Sequence, residues 1–183
     1  MTRKVCVYCS SSNSLEASYY EEARKLGRLM AEHQYGLVYG GGNIGLMGVL
    51  AKVVHEHEGY VYGVIPHALK NKEGVAYELA DEMVITDTMR ERKGIMFEQS
   101  EAFITLPGGI GTLEELMETL TLKHLGYHNH PLIIVNTNGF FNSLMDLLEQ
   151  YREEKFLGAT YRSMFEIVDT AEEAIALLDK HFS

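Results

Sequence analysis

The chain has 183 residues, of which 46% are hydrophobic and 23% are charged, the composition of an ordinary globular protein. Its formal net charge is −10 at pH 7, which argues against the basic stripe that a nucleic-acid surface requires, so we expect no nucleic-acid partner. No apolar run in the sequence approaches the roughly 20 residues that span a bilayer, and we therefore expect no membrane partner.

The N-terminal segment "MTRKVCVYCS" alternates like a strand, and its apolar stretch is too short for a signal peptide, so we expect a cytoplasmic protein. It contains both cysteines, Cys6 and Cys9. A C-x-x-C pair can serve redox or metal chemistry, but a strand points residues at this spacing to opposite faces. Since no second pair completes a zinc site, we predict two buried thiols and no metal.

Short β-rich runs alternate with helical patterns along the whole chain. The predicted strands are residues 4–9, 36–40, 60–65, 82–86, 102–106, 131–136 and 165–169. Between them, apolar residues recur at helical spacing, in the sets Tyr19, Ala23, Leu26, Met30; Leu46, Leu50, Val53, Val54; Leu113, Leu116, Met117, Leu120; Phe140, Leu144, Leu147, Leu148; and Ala174, Leu177, Leu178. This alternation predicts an α/β fold: one Rossmann-like, doubly wound and mostly parallel sheet of about seven strands, in a single domain over residues 1–183.

Three predicted strands end in small, polar or glycine-rich loops, at residues 9–14, 39–48 and 106–115. Ligands of such sheets bind outside the carboxyl ends of the strands, so one ligand is expected to span both glycine loops. Ser10, Gly41 and Gly42 are candidate contacts in the first two loops.

The second loop also matches G-x-G-x-x-G, at Gly40, Gly42 and Gly45. The match is weak, because it follows the second strand and no acid for a ribose follows the next one. Two readings stay open: the glycines permit a tight turn and close helix packing, or they let the backbone approach a ligand.

The segment "LPGGIGTLEE", residues 106–115, is more informative. Gly108, Gly109 and Gly111 can bring backbone N–H groups close to an anion, and Thr112 adds a hydroxyl at the start of a helix. The N-terminus of a helix carries roughly half a positive charge, so these residues predict a phosphate site.

Two glutamates stand beside this anion site. On a helix, Glu115 lies about 150° from the centre of the apolar arc, so it points toward the ligand rather than the core. We expect the helix dipole to keep it ionised, able to stabilise positive charge at an anomeric carbon and to position water. Glu114 is interpreted as helix surface that complements the dipole.

The segment "MRERK" follows the fourth predicted strand and supplies Arg92 and Lys93 at the same sheet end. Together, "PGGIGTLEE", "MRERK", "YGGGNIGLMG" and "VCVYCSSS" resemble the Lonely Guy family of cytokinin-activating phosphoribohydrolases, in the right order over nearly the whole chain. Arg90 departs from this pattern, where many relatives have a histidine.

The resemblance implies a homodimer that needs no cofactor and hydrolyses the N-glycosidic bond of a nucleoside 5′-monophosphate. Its products would be adenine or an N6-substituted adenine, and ribose 5-phosphate. By the same resemblance, Arg92 and Glu115 form the catalytic pair. The residues that would bind phosphate or nucleotide are Gly108, Gly109, Gly111, Thr112, Lys93, Thr121 (with Thr119 as its substitute) and Glu73.

Other functions remain in competition. Relatives are often labelled "lysine decarboxylase-like", but pyridoxal phosphate would need a Schiff-base lysine that no position in this sequence suggests. A nucleotide sensor or cofactor carrier could use the same loops without turnover, although phosphate binding alone needs no carboxylate. A nucleotide-dependent oxidoreductase is disfavoured by the missing ribose-binding acid. His124, His128 and His130 are interpreted as a helix end and loop rather than as a metal site.

Overall fold

The order of strands and helices along the chain follows the predicted alternation. In a computed structural model of the protein, the described residues are 2–73, 77 and 79–183, with residues 71–73 described by their backbone alone. These residues form seven strands: β1 (Lys4–Tyr8), β2 (Gly36–Tyr39), β3 (Val61–Pro66), β4 (Glu82–Thr86), β5 (Ala102–Thr105), β6 (Leu132–Val135) and β7 (Glu166–Val168). They also form seven α-helices: α1 (Ala17–Glu32), α2 (Gly45–Glu56), α3 (His67–Glu73), α4 (Met89–Glu98), α5 (Ile110–His124), α6 (Asn142–Glu153) and α7 (Ala171–Phe182).

The strands form one sheet in the order β4-β3-β2-β1-β5-β6-β7, and all of these neighbouring pairs are parallel. The predicted doubly wound fold is therefore confirmed. The chain builds the sheet outward in one direction from β1 to β4 and in the other from β5 to β7. The strand order reverses between β1 and β5, where ligands bind in open sheets of this kind.

Two buried clusters cover the two faces of the sheet. Side chains from α1, α2 and α7 pack on one face, and side chains from α4, α5 and α6 pack on the other. Cys9 belongs to the first cluster and Cys6 to the second, and both are free, buried thiols. The prediction that the two thiols lie on opposite faces is thus confirmed, because successive strand residues alternate between faces.

The predicted core is wrong at three apolar positions. Leu113, Leu147 and Phe140 are 41%, 43% and 46% exposed. Leu113 lies in the first turn of α5 and is not among the buried residues of that helix. Phe140 precedes α6 instead of belonging to it, and its ring packs edge-on against Tyr19. Helix α3 also has no counterpart in the sequence-based prediction.

None of the helices in the described part of the chain combines the length and the apolar character needed to cross a bilayer.

Candidate active site

A cavity of about 360 Å³ opens at the carboxyl ends of β1 and β5, where the strand order reverses. Its described lining comes from the loop after β1 and from α2, α4 and α5: Cys9, Ser10, Ser11, Ser12, Met47, Met89, Arg92, Gly109, Ile110, Gly111, Thr112, Glu114 and Glu115. The predicted catalytic pair and much of the predicted phosphate loop therefore share one cavity. A larger cleft of about 1090 Å³ lies beside β7, but none of the predicted site residues is among its lining residues.

The N-terminus of α5 forms one wall of this cavity. Gly109 is its N-cap residue, supplies no side chain, and is exposed together with Gly111. The first N–H groups of a helix have no partner within the helix, so an uncapped N-terminus that opens into a cavity suits an anion. Thr112 is buried, and a Cβ added to Gly108 would lie 2.1 Å from its Oγ1. Gly108 therefore lets the loop close against Thr112.

Arg92 is held in place by the backbone of β3 and of the loop that follows β2. Its side chain is 7% exposed, Nε donates to the carbonyl oxygen of Val64 at 3.1 Å, and Nη2 donates to that of Gly40 at 3.1 Å. These two hydrogen bonds orient the guanidinium plane and leave Nη1 beside Met89 Sδ, 3.7 Å away. Because a thioether is a weak acceptor, Nη1 retains donor capacity on the cavity side.

The Glu115 carboxylate has an unusual setting. No described group donates a hydrogen bond to it, and burial raises its pKa from 4.5 to about 7, although the Arg92 guanidinium lowers it. The charges of Glu114 and Glu118 also raise the pKa of Glu115 by smaller amounts, and the charge of Lys93 lowers it. The expectation that the helix dipole keeps this carboxylate ionised is therefore wrong below about pH 7, since desolvation outweighs the favourable charges.

Lys93 lies next to Arg92 in sequence but does not line the cavity. Its ammonium pairs with Glu114 and with Glu118, the latter at 2.9 Å. Burial lowers the pKa of Lys93, but the hydrogen bonds and charges of the two glutamates outweigh this effect, and the net shift of the pKa is upward. Glu114, interpreted from sequence as helix surface, is thus both an ion-pair partner and part of the cavity wall.

Of the candidates in the first two loops, Ser10 lies at the cavity. Its carbonyl oxygen accepts from Leu46 N at 2.9 Å, and its Oγ accepts from Ser12 N at 3.1 Å. Gly41 is buried with φ +72°, and a Cβ there would lie 2.9 Å from the Cβ of Ile65. Neither Gly41 nor Gly42 is among the residues that line the cavity. The contacts of this loop favour the reading of a tight turn and close packing.

The remaining predicted contacts lie elsewhere. Thr121 is exposed, donates to Met117 O at 2.6 Å and borders a cleft between α5 and α6. Thr119, its proposed substitute, is buried and hydrogen-bonded to Tyr8 at 2.9 Å. Glu73 ends α3, and its side chain falls outside the described part of the structure.

Several residues of the cavity wall were not predicted individually from the sequence. Met47 and Met89 line the cavity from α2 and α4, and Cys9, Ser11 and Ser12 line it from the loop after β1. Met47 and Met89 lie beside a glycine-rich and a basic motif, which could have indicated a role at the site. Methionine at helical spacing, however, is most often a core residue.

The three histidines are not arranged around a common centre. Helix α5 ends at His124, and the rings of His128 and His130 stack with centroids 5.4 Å apart. Among the described residues, no group of three or more His, Cys, Asp or Glu side chains could hold a metal ion.

Comparisons with known proteins place this arrangement in a family. The family described as "Possible lysine decarboxylase" matches residues 47–178. Cytokinin riboside 5′-monophosphate phosphoribohydrolase LOG2 of Arabidopsis thaliana is 37% identical over 179 residues, covering 98% of this chain and 84% of LOG2. A probable cytokinin riboside 5′-monophosphate phosphoribohydrolase, LOG4 of Oryza sativa subsp. japonica, is 41% identical over 176 residues, covering 96% of this chain and 76% of that protein.

Solved structures with the same fold include two proteins associated with the molybdenum cofactor. The molybdenum cofactor binding protein of Rippkaea orientalis has a TM-score of 0.74 at 22% identity, covering 100% of this chain and 99% of its own. The molybdenum cofactor carrier protein of Chlamydomonas reinhardtii has a TM-score of 0.76 at 18% identity, covering 98% of both chains. At these identities the likeness establishes the fold alone. The full-length sequence relatives establish more: the chain belongs to the LOG (Lonely Guy) family.

Proposed function

We propose that this protein hydrolyses the N-glycosidic bond of adenine or N6-substituted adenine nucleoside 5′-monophosphates, releasing the free base and ribose 5-phosphate. One observation carries the proposal: an anchored guanidinium and an unpaired carboxylate share a cavity with an uncapped helix N-terminus. The names of the LOG relatives support the same reaction. The cavity volume of about 360 Å³ lies within the roughly 300–1,000 Å³ typical of small-molecule sites.

The 5′-phosphate is expected to bind at the N-terminus of α5. The free N–H groups of the first turn and the helix dipole both favour an anion there. Gly109, Gly111 and Thr112 supply this wall, and Gly108 shapes the loop behind it. Ser10 faces them from the loop after β1.

Hydrolysis breaks the bond between C1′ and the base nitrogen and forms a bond between C1′ and a water oxygen. Positive charge develops on the ribose ring as the base departs, and an ionised Glu115 stabilises this charge. The same carboxylate orients the attacking water and accepts its proton, and the departing base nitrogen takes up one proton from solvent, so that adenine leaves as the neutral base. Arg92 binds and polarises the nucleotide through the donors that its two backbone contacts leave free.

The test is incubation of the protein with AMP and quantification of adenine and ribose 5-phosphate. We expect Glu115→Gln to slow adenine release by about 100-fold or more, the scale of losing a positioned acid–base group. The matched control is Glu98→Gln, which removes the same charge from an exposed position at the end of α4. Equal adenine release by wild type and Glu115→Gln would refute the assignment of Glu115.

The alternative is a nucleotide-binding or cofactor-carrying protein that performs no turnover. The likeness to the two molybdenum-cofactor proteins shows a shared fold, and binding alone would not require an unpaired carboxylate in the cavity. Tight binding of AMP without adenine release during prolonged incubation would favour this alternative. Decarboxylation through pyridoxal phosphate is not supported, because the described residues that line the cavity include no lysine.

We also propose that the protein is a homodimer. Its exposed apolar side chains include Leu125, Tyr127, Tyr151 and Phe156, from the end of α5, from α6 and from the loops that follow them. The rings of Tyr151 and Phe156 lie edge-on with centroids 6.3 Å apart, and a second copy would cover these exposed apolar side chains. Light scattering should give the dimer mass for wild type and the monomer mass for Tyr151→Ser/Phe156→Ser. A monomeric wild type would contradict the proposal.

A cytoplasmic location is the last part of the proposal. It is supported by Cys6 and Cys9, which are free thiols in a chain with no other cysteine, the pattern expected in a reducing compartment. Cell fractionation with the native protein would test it.

A further inference from the structure

Two methionines border the Arg92 guanidinium. Met47, on α2, and Met89, on α4, both line the cavity. Met89 Sδ lies 3.7 Å from Nη1. A Cβ built on Gly40 would lie 1.7 Å from Arg92 Nη2 and 3.3 Å from Met47 Sδ, so the Met47 thioether also lies close to the guanidinium.

The rest of the cavity wall is mostly polar. The loop after β1 contributes three serines, and the N-terminal turns of α5 contribute backbone N–H groups, a hydroxyl and two carboxylates. Apart from the two methionines, the apolar side chains of the described lining are Cys9, which is 6% exposed, and Ile110, which is 88% exposed at the mouth. Met47 is partly buried and Met89 is 46% exposed, and the two thioethers supply most of the remaining apolar surface of this lining.

The orientation of a bound nucleotide follows from the proposed function, on which this inference rests. With the phosphate at the N-terminus of α5 and C1′ near Glu115, the base extends away from the phosphate. A purine presents two large apolar faces. Its binding is most favourable where these faces leave water and contact polarizable thioethers. The polar walls already have roles in binding phosphate and ribose.

We propose that Met47 and Met89 form the base subsite and contact the faces of the purine. Thioethers are weak acceptors and donate no hydrogen bond. The two methionines therefore recognise the aromatic faces of the base rather than the hydrogen-bonding groups on its edge. Unbranched methionine side chains also adapt their shape to different ligands. The subsite is therefore expected to accept adenine with apolar N6 substituents and to favour purines over the smaller pyrimidines.

Product inhibition separates the base subsite from the rest of the cavity. Adenine and ribose 5-phosphate are each tested as inhibitors of AMP hydrolysis by wild type, Met47→Gln, Met89→Gln, Met47→Leu and Met89→Leu. In the glutamine variants we expect the inhibition constant for adenine and the KM for AMP to rise by roughly 5- to 30-fold, as losing a thioether–aromatic contact and its buried area implies. The inhibition constant for ribose 5-phosphate should stay within about twofold of wild type, and the leucine variants should retain most of the affinity for adenine.

The matched control is Met145→Gln, a partly buried methionine on α6 outside this cavity. The proposal is overturned if both glutamine variants bind adenine as wild type does. The proposal is equally overturned if the inhibition constants for adenine and for ribose 5-phosphate rise by the same factor, because that would indicate general damage to the cavity.

Calorimetric titration of each variant with AMP and with ribose 5-phosphate keeps the inference testable without turnover. Selective loss of AMP affinity in a wild-type protein that releases no adenine would refute the proposed function while supporting the base subsite. Adenine release that both methionine substitutions leave unchanged would support the proposed function and refute the base subsite.

Discussion

Gly40 and Arg92 lie 52 positions apart in the sequence and in direct contact in the fold. Arg92 Nη2 donates to the Gly40 carbonyl oxygen at 3.1 Å, and a Cβ on Gly40 would lie 1.7 Å from that nitrogen. The first glycine of the G-x-G-x-x-G match therefore makes room for the buried Arg92 side chain of the protein itself. This contact explains the glycine without any dinucleotide.

Gly40→Ala is expected to displace the Arg92 guanidinium by about 1 Å or more, because the added methyl group overlaps it. A misplacement on that scale can cost about 100-fold in kcat/KM, and overpacking costs about 1–3 kcal/mol of stability. AMP hydrolysis and denaturant unfolding measure the two effects. Gly94→Ala on α4 is the control, since a Cβ there meets no atom within 4 Å. Full activity in Gly40→Ala would show that the contact is dispensable.

The raised pKa of Glu115 predicts a cost in stability that depends on pH. The folded carboxyl has a pKa of about 7 against an ordinary value of 4.5, so the folded state binds more protons than the unfolded state between these values. Stability therefore falls as pH rises through this window, and the cost is complete above pH 7.

Replacing Glu115 with glutamine removes this titration. We expect wild type to lose up to about 3 kcal/mol relative to Glu115→Gln between pH 4.5 and pH 8. Urea unfolding of both proteins at several pH values measures the difference. Parallel stability curves across this range would show that the Glu115 pKa is not raised.

Activity should have the opposite dependence on pH. If Glu115 acts in its ionised form, kcat/KM for AMP rises nearly tenfold per pH unit up to about pH 7 and then levels off. The measurement is a pH profile in buffers of constant ionic strength, with stability checked at each point. A flat profile between pH 5 and pH 8 would contradict a role for the ionised carboxylate.

Lys93 and Glu118 should shift this profile in opposite directions. Lys93 lowers the pKa of Glu115 and Glu118 raises it, so Lys93→Met should move the midpoint to higher pH and Glu118→Gln to lower pH. The control is Lys52→Met, which breaks the exposed pair between Lys52 and Glu56 on α2. Shifts of the same sign in both variants would mean that the substitutions act through helix packing instead of charge.

The fold was largely predictable from local patterns. Apolar runs of strand length alternating with helical periodicity predict a parallel sheet, because buried strands and amphipathic helices each impose a characteristic spacing. The errors arose where tertiary context decides burial, as at Leu113, which has helical apolar spacing but is 41% exposed in the first turn of α5. Helix α3 was missed at the segment "HALKNKE", which has no clear apolar face.

The site was predictable in its parts but not in its arrangement. The motifs around Arg92 and Glu115 follow β4 and β5, so both were expected at the carboxyl end of one parallel sheet, and the cavity contains both. Three strands separate β4 from β5 in the sheet, so the contact distance between the two motifs was not predictable. The position of Lys93 was not predictable from the motif. Its ammonium pairs with two glutamates on α5 instead of lining the cavity.

The sequence by itself determined the sheet and the end of it at which ligands bind, because both follow from periodicity. It also determined the identity of the charged pair, because the motifs of Arg92 and Glu115 resemble those of the LOG family. Only the tertiary structure decided how that pair is tuned. Arg92 is oriented by carbonyls 28 and 52 positions away, and the pKa of Glu115 is set mainly by burial. Desolvation and long-range backbone contacts depend on everything that packs around a side chain, and this cannot be read from its neighbours in the chain.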